Sequence, residues 1–208
     1  ERPPLWRYWR VMPPKGRLAI LHAGWYGDFL ADSVREPERA AAAVRRDVDR
    51  LRRLERMLVA DGVTVVKIHL HVGPEVQRRR LNRLAKDKTT RWRVTAEDRW
   101  YARHYGRVER AFEHCLALTE QPFAPWHVID GTDRQHRALE AGRVVLAGLE
   151  GRIGRRDGKA AFPAATALRR RAARVQLPTR RSANRIAEED YDRRLEKLQG
   201  RLALLSRR

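Results

Sequence analysis

The chain's 208 residues carry 46 Lys+Arg against 26 Asp+Glu, a formal net charge of +20, which points to a polyanionic partner: nucleic acid, an anionic membrane surface or an inorganic phosphate chain. Arginine spread over solvated faces by composition alone would give the same total, so charge does not choose among these. Leu, Val, Ala and Trp are plentiful enough for a packed core, which excludes wholesale disorder, and the single Cys115 excludes an internal disulfide framework and suits a reducing compartment. No apolar run reaches membrane-spanning length and no signal-type start is present, so the expectation is a soluble, cytoplasmic chain with no membrane partner. A first residue that is Glu1 and not Met suggests a fragment or a processed chain.

Arg17–Leu21 reads as a short buried parallel strand that runs into His22, Ala23 and Gly24, with no carboxylate before Asp28. A helix is expected over Pro37–Val59, where Val44, Val48, Leu51, Leu54 and Leu58 recur every three or four residues. Asp61-Gly62 stops it, and the β-branched run Val63–Val72 reads as a second strand. Pro74 opens a very basic helix over Glu75–Lys88. A further helix over Ala96–Glu120 is expected to break near Gly106. Trp126–Asp130 is a third short strand ending at the turn pair Asp130-Gly131, and Arg134–Ile153 is the closing helix. Strands separated by helices imply an α/β fold with a parallel sheet and crossovers, whose functional groups gather at the C-terminal ends of the strands.

Beyond Ile153 the composition shifts. Gly151–Arg185 holds eleven Lys/Arg against one acid with little amphipathic period, as a linker would. Within it, "GRRDGKAA" imitates a phosphate-cradling loop. It has one residue too few between its glycines, Ala160 where a hydroxyl should meet magnesium, and no strand before it. A last helix is expected over Ala187–Leu205, with an acidic first turn and an apolar stripe of Tyr191, Leu195, Leu198, Leu202 and Leu205 whose packing partner is not evident. His69 and His71 share one side of their strand, but no third ligand stands at zinc spacing, which favours a packing role. Cys115 falls on the apolar side of its helix and reads as core.

Several blocks, in order and at matching spacing, resemble one family. "PPLWRYWRVMPPKGRLAIL" followed by "WY", then "LERMLVADGVTVVKIHLHV", "EVQRRRL", "RWRVTAED" and "APWHVIDGTD", are similar to the type-two polyphosphate kinases from Pro3 to about Ile153. The resemblance implies a P-loop kinase-like (thymidylate-kinase-like) parallel sheet flanked by helices, incomplete here because the phosphate-loop strand is missing. It implies phosphoryl transfer between inorganic polyphosphate and a nucleotide, with Mg2+ in the parent enzyme. Thr90–Thr95 is most similar to the polyphosphate:AMP phosphotransferases, which fuse two such units, and Asp190–Gln199 is similar to the helix before a unit's phosphate loop. The implied organisation is residues 1–153 as a partial unit lacking its phosphate loop, 154–186 as a basic linker, and 187–208 as the opening helix of a second, truncated unit. The implied partners are polyphosphate, AMP or ADP in the parent, the second unit of the same chain and a possible homo-oligomer.

The same resemblance assigns the sites. Active members carry Asp-Arg-Ser-Trp-Tyr after the first strand; here His22, Ala23 and Gly24 replace the first three, so the oxygen ligand for a hard cation and the phosphate-holding guanidinium are both lost. No metal is therefore expected on this segment, and a repurposed His22 base is the alternative. Trp25 and Tyr26 persist as packing groups. A basic lid is implied by Arg78, Arg79, Arg80, Arg83, Lys86, Lys88, Arg91 and Arg93, with Arg78, Arg79, Arg80, Arg91 and Arg93 expected to bind polyphosphate and Trp92, Thr95 and Asp98 at matching lid positions. Departures are Thr90 for a lysine, Lys86-Asp87-Lys88 for an Asp-Asp-Pro turn, and Tyr105 and Val108 for a later Trp and Tyr. Asp130 and Asp133 follow the third strand as nucleotide-side polar residues or as turn-formers. The expected role is thus a degenerate structural or polyphosphate-gathering half of a polyphosphate:AMP phosphotransferase. The competing reading is an independent basic nucleic-acid- or polyanion-binding protein, which the strand-adjacent tryptophans disfavour.

Overall fold

Backbone pairing decides which apolar runs become strands. The structure, a computed structural model, describes residues 5–39, 41–153 and 186–206. In chain order it contains α1 (Trp6–Trp9), α2 (Gly27–Arg35), α3 (Ala41–Ala60), β1 (Lys67–His71), α4 (Pro74–Lys86), α5 (Ala96–Arg103), α6 (Tyr105–Thr119), β2 (Trp126–Asp130), α7 (Arg134–Ile153) and α8 (Glu188–Ser206), with 3-10 turns at Gly24–Tyr26 and Arg91–Arg93. The two strands pair in parallel, from Lys67 opposite Trp126 to His71 opposite Asp130. A parallel pair needs a crossover, and α4, α5 and α6 provide it. The result is an α/β arrangement, a small parallel sheet with helices around it.

Trp126–Asp130 and Arg134–Ile153 form the strand and helix expected of them. Arg17–Leu21 does not form a strand. Its Leu18 is 53% and its Ile20 88% exposed, because an extended segment becomes a strand only beside another, and the described sheet holds β1 and β2 alone. The second strand is shorter than expected: Val63–Val66 stays outside the ladder, although Val65 is buried against Leu54 and Leu58. α2 was not anticipated; it buries Phe29 and Val34. The break in the Ala96–Glu120 helix falls at His104, two residues ahead of Gly106.

The core is organised on α3. Val48 and Leu51 pack with Tyr26, Phe29 and Cys115, while Leu54, Leu58 and Val59 pack with Val65 and Ala124. Each of the Val, Leu and Phe side chains among them contributes roughly 1.5–3 kcal/mol when fully removed from water. At the far end of the sheet Gly131 N–H donates to His71 O at 2.6 Å, and a Cβ on Gly131 would sit 2.9 Å from Val72 Cγ2 and 3.0 Å from that oxygen. Glycine is what lets the β2–α7 turn approach the end of β1. The terminal stripe does find a partner: α8 packs on α7, with Leu198 Cδ1 3.6 Å from the position a Gly142 Cβ would take and Arg201 paired to Glu150. Leu202 and Leu204 stay exposed. No helix among the described residues is long and apolar enough to cross a membrane. The proposed linker and its "GRRDGKAA" imitation, Gly154–Ala161, lie outside the described residues.

Candidate functional site

The turn after Leu21 is held from one side by α1. Ala23 (φ 57°) and Gly24 (φ 51°) both occupy the left-handed region, which for alanine costs roughly 1–2 kcal/mol. Tyr8 hydroxyl donates to Gly24 O, and Arg7 Nη2 lies 2.5 Å from Asp28 Oδ2. Those bonds to α1 hold the turn in place. His22 and Ala23 are exposed. Asp28, the first carboxylate after the turn, is the partner of Arg7. A hard divalent cation wants several oxygen ligands, and His22, Ala23 and Gly24 offer no side-chain oxygen. Among the described residues no group of three or more His, Cys, Asp or Glu could hold a metal. The donor set here does not fit Mg2+.

Trp25 and Tyr26 do more than pack. Tyr26 hydroxyl donates to Glu55 Oε1, and Trp25 Nε1 donates to the same oxygen at 3.3 Å. Glu55 Oε2 receives Lys67 Nζ at 2.9 Å, and that ammonium also donates to Thr119 O at 2.7 Å and to Tyr26 hydroxyl at 3.3 Å. Glu55 and Lys67 are 0% and 4% exposed, so the three ammonium protons and both carboxylate oxygens are satisfied away from water. The Tyr26 and Trp126 rings lie beside the ammonium, with centroids 5.5 and 5.1 Å from Nζ. Burial drives the Lys67 pKa down, with Glu55 opposing it. Burial, then the Glu55 charge, drives the Tyr26 phenol well above its usual range. This knot ties the turn, α3, β1 and the end of α6 together. Sequence reasoning missed Glu55 and Lys67. The signal was a carboxylate inside the apolar stripe Leu51, Leu54, Leu58, and a lysine in the middle of the β-branched run Val63–Val72.

The residues expected to form a basic lid divide into two groups. Arg80 Nη2 donates to Gly131 O at 2.9 Å and Thr132 O at 2.5 Å, fastening α4 to the turn after β2. Burial and the neighbouring Arg137, Arg83 and Arg79 lower its pKa. Thr95 and Asp98 form a capping box at the start of α5: Asp98 N–H donates to Thr95 Oγ1 at 3.1 Å, and Thr95 N–H to Asp98 Oδ2 at 2.9 Å. These three side chains fix α4 and the start of α5 in place. Arg78 and Arg79 are exposed and, with Glu75, Asn82, Arg83, Lys86 and Asp87, line an open depression of about 660 Å³ on α4. Arg91 and Arg93 are exposed beside Trp92 on the following turn.

His69 stacks on Phe112 with centroids 4.5 Å apart, and burial followed by the His71 charge lowers its pKa to about 4. His71 Nε2 lies 3.5 Å from the Tyr105 hydroxyl, which donates to Val72 O at 3.0 Å. Burial raises the Tyr105 pKa to about 12. Both histidines pack as expected. Asp130 Oδ1 accepts from Thr132 N–H and Asp133 Oδ1 from His136 N–H, so both aspartates shape the turn into α7. Cys115 is buried, with its pKa pushed up to about 12.

A family model described as polyphosphate kinase 2 matches residues 2–156. The chain belongs to that family. It is 34% identical over 168 residues to a polyphosphate:AMP phosphotransferase of Pseudomonas aeruginosa, covering 81% of this chain and 34% of that protein. It is 30% identical over 149 residues to an AMP/ADP-polyphosphate phosphotransferase of Meiothermus ruber, covering 71% of this chain and 55% of that one. The fold is similar to the crystal structure of polyphosphate kinase 2 from Arthrobacter aurescens TC1, with a TM-score of 0.69 at 23% identity over 81% of this chain and 59% of that chain. The chain therefore spans about a third of the length of its Pseudomonas relative.

Proposed function

We propose that this chain is one unit of a polyphosphate-dependent nucleotide phosphotransferase, the unit that gathers polyphosphate and braces an active neighbour without performing transfer. The observation that carries this reading is a contrast within one fold. The basic depression on α4 is open to solvent, whereas the turn His22–Gly24 offers no carboxylate where a magnesium nucleotide would need one. The relatives' printed activities supply the substrates: polyphosphate as donor and AMP or ADP as acceptor. In the longer protein, residues 1–153 act as a partial P-loop kinase-like unit, 154–186 as a linker, and 187–208 as the opening helix of the next unit. The exposed Leu18 and Ile20 support a further strand packing beside them in that longer protein.

Polyphosphate attracted by Arg78, Arg79, Arg83, Lys86, Arg91 and Arg93 displaces condensed counterions, so its affinity falls steeply with salt, as for other polyanions. The test is a polyphosphate titration of the 208-residue chain at several salt concentrations, beside an assay for ADP from AMP, polyphosphate and Mg2+. The reading predicts tight low-salt binding and no ADP. ADP formed at rates typical of a kinase, or no binding at low salt, overturns it.

A further inference from the structure

We infer that Trp92, with Arg91 and Arg93, is a stacking platform for a base of single-stranded nucleic acid whose phosphates follow the basic depression of α4. Trp92 is 73% exposed, a high value for a side chain whose apolar area normally drives it inward. The ring is nonetheless fixed: Nε1 donates to Thr89 O at 2.9 Å, and the Arg93 guanidinium lies 5.3 Å from the ring centroid. Its turn is fastened to the end of α4, with Arg91 N–H donating to Asp87 O at 2.9 Å and Thr90 Oγ1 to Leu84 O at 3.0 Å. An aromatic plane held by its edge, flanked by exposed arginines and backed by a basic track, is the combination that binds single strands without sequence preference. Glu75–Arg93 contains eight Lys/Arg and two acids, so the track itself attracts any polyanion. The indole adds what polyphosphate cannot use, since stacking needs a base. The expectation that the tryptophans would be strand-adjacent fails at this residue.

This inference shares the basic surface assigned above to polyphosphate, and its test separates the two. The 208-residue chain and its Trp92→Ala and Trp92→Phe forms are titrated at low salt with a thymidine oligonucleotide, an abasic oligonucleotide of equal length, and polyphosphate. Circular dichroism checks that the exposed substitution leaves the fold intact. Trp92→Ala should weaken thymidine oligonucleotide binding about tenfold, Trp92→Phe should retain most of it, and polyphosphate and abasic affinities should not move. Equal loss for all three ligands, or no loss for the thymidine oligonucleotide, overturns the stacking platform while leaving the polyphosphate reading standing. Failure of polyphosphate alone to bind overturns the gathering role and leaves this one.

Discussion

At the Lys67 end of β1 the charges are buried and each has several partners, whereas along α4 and the Arg91–Arg93 turn they stand in water beside a shallow depression. The same residue chemistry therefore does two jobs. Where Lys67 and Glu55 are 4% and 0% exposed, desolvation makes every missing partner costly, so the group specifies a geometry. Where Arg78, Arg79 and Arg83 face solvent, each charge contributes little to folding and remains available to a ligand. The aromatic pairs follow the same division: Trp25 and Tyr26 close the knot, and Trp92 faces outward.

The largest effect is expected from removing one partner of the knot. Lys67→Met leaves the Glu55 charge buried and unpaired, and should cost about 3–5 kcal/mol in urea unfolding. Adding Glu55→Gln should return a substantial part of that loss. A single substitution costing less than about 1 kcal/mol, the scale of an exposed ion pair, would place the knot on the same footing as the exposed charges of α4.

The second test uses the half-buried His69 as an internal pH gauge. The folded imidazole has its pKa lowered from 6.5 to about 4. As pH drops below 6.5 the unfolded chain takes up a proton that the folded chain refuses, so stability falls towards pH 4 and then levels off. The shift corresponds to about 3 kcal/mol at most. His69→Phe should preserve the contact with Phe112 and remove this part of the acid dependence, measured as the difference between wild type and variant in unfolding free energy at pH 7 and pH 4.5. An unchanged difference at the two pH values would mean that His69 titrates normally in the folded state.

The smallest of these effects concerns the order of α5. Thr95→Ala opens the capping box at the start of α5 and should cost about 1 kcal/mol. Hydrogen exchange should speed up in the first turn of α5 and stay unchanged at β1. Equal acceleration in both would show that α5 and the knot unfold as one unit.

What could be read from the amino acids was what local pattern and turn chemistry dictate. Trp126–Asp130, ended by Asp130-Gly131, and the helix Arg134–Ile153 needed no knowledge of distant residues. Arg17–Leu21 has the composition of a strand, yet strand formation depends on a neighbour that local pattern does not encode. α2 was hidden because Gly27, Asp28 and Ser33 interrupt its apolar residues. The exposed basic surface was legible from charge. The Glu55–Lys67 pair was not, since a charge inside an apolar stripe becomes interpretable only when its partner, twelve residues on, is placed against it. Thr95 and Asp98 carried the spacing of a capping box, and that local reading describes their contacts in the structure better than their lid position alone.

We propose that this unit's solvent-facing arginines serve a polyphosphate donor while its His22–Gly24 turn performs no chemistry. It is tested most directly in a longer protein that contains these residues and makes ADP from AMP and polyphosphate. Turnover and the KM for polyphosphate are measured for His22→Ala and for the triple change Arg78→Ser, Arg79→Ser, Arg83→Ser, with the folded fraction checked beside each. His22→Ala should leave both parameters unchanged, while the triple change should raise the polyphosphate KM and leave turnover at saturation. A hundredfold loss of turnover in folded His22→Ala protein would contradict it.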